Sequence, residues 1–245
     1  RSRGLGDVYK RQVFISLFLM VVLAISMMTI LAQQPQESDD IPSESPAPAR
    51  ITYEAHNPIC INGNEGFLGP NASTGISWGN GTELDPYIIE GWFIYATTFY
   101  RDDGIAIYNT TAHFIVRACM VVCPMWYIME YVPSGIILHN CTNGSLDSNN
   151  CSEYLLYGIC LEESSNITIS NSTFRCDCGM IGDVYDIWLD RSDNITISNS
   201  TCSSYTPREG RYGMHIRDSS NCIIEDNNCN SLERYGIWLG GGSNH

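Results

Sequence analysis

The chain has 245 residues, 13 lysines and arginines against 27 acids, a formal net charge of −14 at pH 7 and eleven cysteines. From Gln33 onward nine arginines and no lysine face 26 acids, a field that repels a phosphate backbone and excludes nucleic acid as a partner. Neutral glycans and cations are the compatible ligands, and an odd cysteine count in a chain of this length does not read as a compact disulfide framework.

In chain order, residues 1–12 contain DVYKRQ, which resembles translated sequencing-adaptor sequence and is set aside from fold reasoning. Val13 to Ala32 is a run of twenty residues without charge, Gly or Pro, read as an apolar helix that is either a signal peptide or a membrane anchor. Both readings export the rest of the chain. Residues 33–50, QQPQESDDIPSESPAPAR, are too poor in apolar side chains to offset their ordering entropy and form a disordered Pro/acidic linker. Residues 51–245 then make one domain.

That domain repeats itself. A small residue followed by apolar, any, apolar recurs at Gly104-Ile105-Ala106-Ile107, Gly135-Ile136-Ile137-Leu138, Gly158-Ile159-Cys160-Leu161, Asp186-Ile187-Trp188-Leu189, Gly213-Met214-His215-Ile216 and Gly236-Ile237-Trp238-Leu239, at spacings of 31, 23, 28, 27 and 23 residues. Alternation of this kind marks a strand with one buried face. Eight residues after each small residue from Gly135 onward comes Asn143, Asn166, Asn194, Asn221 and Asn244, opening segments such as NITISNSTF and NITISNSTC. These segments give an inward column Gly144, Ile167, Ile195, Cys222 and a second, Leu146, Ile169, Ile197, Ile224. A third column is Cys151, Phe174, Cys202, Cys229. Earlier copies begin at His113 and Pro86, and Gly75-Ile76-Ser77-Trp78 is read as the first strand of the latter. Ser148, Asn171, Asn199 and Asp226 are read as a hydrogen-bonded ladder at a turn.

Length varies in one place per unit, the stretch before each small residue, and several of these stretches end in tyrosine: Tyr157, Tyr185, Tyr212 and Tyr235. Period-2 motifs exclude a helical solenoid, and loops confined to one edge indicate a stack. The prediction is an all-β, right-handed, single-stranded parallel β-helix of three sheets and about six to seven coils. It is capped at residues 57–92 and expected to continue past His245.

PICINGN at 58–64, GNGTELDPYIIEGW at 79–92 and the NITISN units resemble the NosD-like right-handed parallel β-helix family of exported proteins, over residues 57–245. The resemblance implies the fold firmly. It implies a range of functions, from copper-centre maturation to sugar binding and polysaccharide cleavage, and fold does not choose among them.

The outward column of the first strand type is Ala106, Ile137, Cys160, Trp188, His215, Trp238, and the next is Tyr108, His139, Glu162, Asp190, Arg217, Gly240. Exposed tryptophan marks a binding surface, so Trp188, His215 and Trp238 beside Glu162, Asp190 and Arg217 form the candidate ligand site, suited to glycan. The competing reading is that flanking loops cover these side chains as a second small core. Glu162 and Asp190 on adjacent coils are a carboxylate pair of the kind glycoside cleavage needs, but a solvated acidic face is the plainer account and no catalytic residue is assigned. No four-ligand metal spacing appears and no cofactor is assigned. Free cysteines in inward columns act as small apolar residues, with Cys202 and Cys229 within disulfide reach. The expected protein is thus an exported cell-surface β-helix with a binding or structural role. A polysaccharide lyase- or hydrolase-like enzyme and a NosD-type accessory protein for copper-centre assembly are the alternatives.

Overall fold

A computed structural model describes residues 52–68, 74–96, 103–123, 132–153, 155–176, 183–204, 210–231 and 235–241. The apolar helix expected over Val13 to Ala32 and the linker at 33–50 lie outside the described residues. Among the described residues no helix is long and apolar enough to cross a membrane.

The repeated Gly-Ile-x-Leu segments build sheet 1, seven parallel strands in the order β2 (Ile59–Asn62), β6 (Ile105–Thr110), the first half of β9 (Ile136–Asp147), β11 (Tyr157–Glu162), β14 (Val184–Asp190), β17 (Arg211–Arg217) and β20 (Tyr235–Gly240). The NITIS segments build sheet 2 from β4 (Tyr87–Glu90), β7 (Phe114–Arg117), the second half of β9, β12 (Ser165–Ser170), β15 (Asp193–Ser198) and β18 (Ile223–Glu225). Sheet 3 holds β1 (Glu54–His56), β5 (Trp92–Tyr95), β8 (Met120–Cys123), β10 (Asn150–Glu153), β13 (Thr173–Cys176), β16 (Thr201–Ser204) and β19 (Asn228–Ser231). Every one of these strands pairs with its counterpart one coil away, which makes the domain an all-β parallel solenoid.

Register is what the repeat dictates. Leu161, Leu189, Ile216 and Leu239 are successive Cα partners in sheet 1. Leu146, Ile169, Ile197 and Ile224 are partners in sheet 2. Cys151, Phe174, Cys202 and Cys229 are partners in sheet 3. Apart from Leu239, Ile224 and Cys229 at the last coil, these side chains are fully buried. Each buried aliphatic or aromatic side chain contributes about 1.5–3 kcal/mol, which offsets chain ordering only when coils stack. Where the column narrows the sequence supplies glycine: a Cβ on Gly144 would meet Phe114 Cζ at 2.4 Å.

The coil count is lower than the expected six to seven. About five turns are regular: β6–β7–β8, β9–β10, β11–β12–β13, β14–β15–β16 and β17–β18–β19. What precedes them is a closure. Ile76–Trp78, expected as a coil strand, is instead β3, antiparallel to β4, and β2 takes the place in sheet 1 beside β6. Between β2 and β3 a short 3-10 helix, Asn64–Phe67, drops Phe67 onto the end of the core. Its ring stacks on Tyr87 at 4.5 Å and lies 6.1 Å from Phe114. Asn64 Oδ1 accepts from the backbone N–H groups of Thr111 and Ala112 and from the Thr110 hydroxyl. A sheet end that would otherwise template aggregation is covered in this way. After β19 the described chain adds one strand, β20, not a coil.

The corners carry the polar ladders, one residue from where they were expected. Ser148, Asn171, Asn199 and Asp226 take positive φ, between 49° and 55°, as the left-handed turn residues, a role that short polar side chains tolerate. The ladder forms at the next position and points inward: Asn149 N donates to Ser172 Oγ, Ser172 N to Ser200 Oγ, and Ser200 N to Asn227 Oδ1. A second buried ladder lies between sheets 1 and 2, where the N–H groups of Cys141, Ser164 and Ser192 donate to the hydroxyls of Ser164, Ser192 and Ser219. Outside, Asn194 donates to Asn166 and Asn140 to Asn109 through their side-chain amides.

Candidate functional site

Trp188, His215 and Trp238 are Cα partners on β14, β17 and β20. Parallel register places like positions about 4.8 Å apart, so their rings stack on one another. Trp188 and His215 have centroids 4.4 Å apart with planes at 19°, and His215 and Trp238 lie 4.1 Å apart at 11°. The tryptophans are half-buried and His215 is 8 % exposed. The column is therefore less open than the sequence suggested. His215 is sandwiched, and Trp188 gives one face to it.

A second aromatic column, not included in the expected site, runs beside the first. Tyr157, Tyr185, Tyr212 and Tyr235 stack with centroid distances of 5.7, 5.0 and 6.1 Å. Tyr185 lies edge-on to Trp188 at 4.7 Å. The recurrence of tyrosine before each small residue was the available signal. Strict alternation from Ile187 puts Tyr185 in the inward phase, and the corner entering sheet 1 turns it outward instead. Burial pushes the Tyr157 hydroxyl up to about 12 and raises Tyr185 as well. Both remain neutral hydrogen-bonding groups at physiological pH.

The next outward column supplies charge. Glu162, Asp190 and Arg217 are successive register partners, with His139 before Glu162. Asp190 is buried at 1 % exposure and accepts a bidentate pair from Arg217, Nε to Oδ1 at 2.7 Å and Nη2 to Oδ2 at 2.9 Å. Arg191 also contacts Asp190 Oδ2 and reaches Glu163 at 3.1 Å. The Arg217 hydrogen bonds hold the Asp190 carboxyl below the usual carboxylate range, against the opposing effect of its burial. The Arg217 guanidinium sits 5.4 Å from the Trp188 ring centroid, a cation–π arrangement. Glu162 is 3.4 Å from His139 Nδ1. All six expected site residues thus fall on one outer face of sheet 1, and Arg191 and the tyrosines join them.

Two polar atoms on this face have no hydrogen-bond partner among the described residues: Trp188 Nε1 and His215 Nδ1, both buried. Such groups are rare in native proteins and call for an explanation. Burial, ahead of the nearby Arg217 charge, holds His215 below its ordinary range, so the imidazole is neutral at pH 7.

A family model described as periplasmic copper-binding protein (NosD) matches residues 176–245. Over those residues the solenoid is similar to that family. The matched residues run from the end of β13 through β20 and so include Trp188, Asp190, His215, Arg217 and Trp238. A search of curated proteins and a search of solved structures each find no match. The description names copper, but among the described residues no group of three or more His, Cys, Asp or Glu is placed to hold a metal ion. His215 is confined between two indoles and His139 lies beside Glu162. The described donors do not fit a copper centre.

Proposed function

We propose that this chain is an exported, NosD-like right-handed β-helix that binds neutral glycan along the outer face of sheet 1. The observation that supports the reading is the double aromatic column on one outer face, ending in the Trp238 ring stacked on His215, with the Arg217–Asp190 pair in the next column. A sugar offers the C–H patches that aromatic rings accept and hydroxyls for the flanking charged groups. Because Trp188 and His215 cover each other, the ligand meets ring edges along the column and an indole face at Trp238, whose ring is stacked on His215 on one side. Arg217, anchored by Asp190, holds hydroxyls at the margin, with Glu162 on the coil before Asp190. The acidic chain favours a neutral ligand over an anionic one.

A glycan array probed with the intact chain and with Trp238→Ala tests this. We expect binding to be lost by at least about tenfold, the scale of one hot-spot aromatic. Absence of binding, or binding that survives the substitution, removes the proposal. Export, with a tether through Val13 to Ala32, belongs to the same reading and is checked by fractionating the producing cells.

Catalysis is not proposed. The carboxylate pair exists in register at Glu162 and Asp190, but Asp190 is committed to two arginines and is held ionised, which disables it as a general acid. A NosD-type accessory role in copper-centre assembly is the second reading, favoured by the match over residues 176–245. One equivalent of copper retained through gel filtration would support it.

A further inference from the structure

Most of the described cysteines fill the core singly. Cys141 donates to backbone carbonyls at a corner, as does Cys119, and Cys151 pairs in register with Val121 and Phe174. Cys202 and Cys229 are different. They are Cα partners on β16 and β19, and no other described cysteines share a register position on neighbouring strands. Strands about 4.8 Å apart fall within the roughly 4.4–6.8 Å Cα separation that a disulfide spans.

The two thiols influence each other: the neighbouring Cys202 lowers the Cys229 thiol from its ordinary range, while burial raises Cys202. Cys202 is fully buried, whereas Cys229 is partly exposed.

We infer that Cys202 and Cys229 are a thiol–disulfide exchange site that staples β19 to β16, with Cys229 as the entering nucleophile and a small or protein disulfide as the oxidant. The Cys229 thiolate attacks the oxidant disulfide, forms a mixed disulfide and expels one thiolate, which takes up the proton Cys229 lost. Cys202 then loses its proton, attacks the Cys229 sulfur and expels the second thiol. Two electrons and two protons pass from the pair to the oxidant, which leaves as two thiols. The availability of such an oxidant in the cell rests on the proposed export, since that setting preserves disulfides. The chemistry of the pair does not.

The test uses the whole chain purified under reductant, freed of it, and exposed to glutathione disulfide. We expect intact mass to fall by two hydrogens, peptide mapping to join Cys202 to Cys229, and proteolysis of the last coil to slow by about tenfold, reversibly with dithiothreitol. Cys202→Ser should trap a glutathione adduct on Cys229, whereas Cys229→Ser should leave Cys202 without one. Cys202 and Cys229 both remaining alkylatable after the oxidant, a stable glutathione adduct in the unaltered chain, or an adduct on Cys202 in the Cys229→Ser variant would overturn the inference. Mapping needs no variant, so a variant that fails to fold leaves the test intact. If the bond closes with glutathione disulfide but is missing in protein recovered from producing cells, export fails and the pair stands.

Discussion

Leu189 and Leu239 are the same residue in the same column of sheet 1, two coils apart, and they separate the contribution of stacking from that of sequence. Leu189 is fully buried between Leu161 and Ile216, whereas Leu239 has Ile216 on one side and is 51 % exposed. Leu189→Ala removes three carbons, worth about 2.4 kcal/mol at roughly 0.8 kcal/mol each. A residual void of about 50 Å³ at roughly 24 cal/mol per Å³ adds about 1.2 kcal/mol. The expected cost is about 3.5 kcal/mol. Leu239→Ala loses about half the transfer component and opens no enclosed void, so it costs about 1 kcal/mol. With a urea slope of about 2 kcal/mol/M, the midpoint falls by about 1.8 M in the first variant and about 0.5 M in the second. Urea titrations followed by far-UV circular dichroism and by tryptophan fluorescence measure both values and show whether the array unfolds as one unit. If the two substitutions cost the same within about 0.5 kcal/mol, side chains do not draw their stability from the coils on either side, and stacking is not what holds the solenoid together.

Two further outcomes concern the corners and the aromatic column. Asn149→Ala strands the Cys119 N–H and the Val116 carbonyl that the Asn149 side chain serves at 3.1 and 2.8 Å; a loss of about 2–3 kcal/mol is expected in the same titration, with partial recovery in Asn149→Ser, which restores the hydroxyl used at Ser172 and Ser200. His215 is held below its ordinary value of 6.5 in the folded chain, so below that pH the unfolded state binds more protons. The stability tied to its neutral form is complete above about 6.5 and drains away as pH falls toward the folded value. Melting temperature should therefore drop less between pH 7 and 5 in His215→Phe, which keeps the ring stack, than in the parent; an unchanged slope contradicts a buried neutral imidazole.

The columns were legible because parallel coils impose period 2 and repeat it: Ile187, Met214 and Ile237 could be aligned from spacing alone, and they are register partners. The six site residues were placed on one face by the same logic. What alternation could not supply was the behaviour of the chain at corners. Tyr185 joins Trp188 because the in–out alternation breaks at Asp186 and Ile187, which are both buried, the Asp186 carboxylate accepting from the Cys176 N–H. The inward ladder at Asn149 differs from the turn residue Ser148 by one position, and only φ distinguishes them. Burial of His215 was equally hidden, since a column of large rings reads as an exposed surface until the rings are seen to shield each other. The coil number was overestimated because the segments before Ile105 share the composition of coils while folding as a closure around Phe67.

The serine ladder gives the solenoid a direction. Each hydroxyl hands its own hydrogen to a carbonyl two residues upstream, Ser164 to Glu162, Ser192 to Asp190 and Ser219 to Arg217, while receiving an amide from the coil before. A corner amide is thus satisfied from its C-terminal side alone. A nascent chain leaving the ribosome would keep one newly made layer wet until its successor arrives, and completion would advance like a zipper from the Phe67 plug outward.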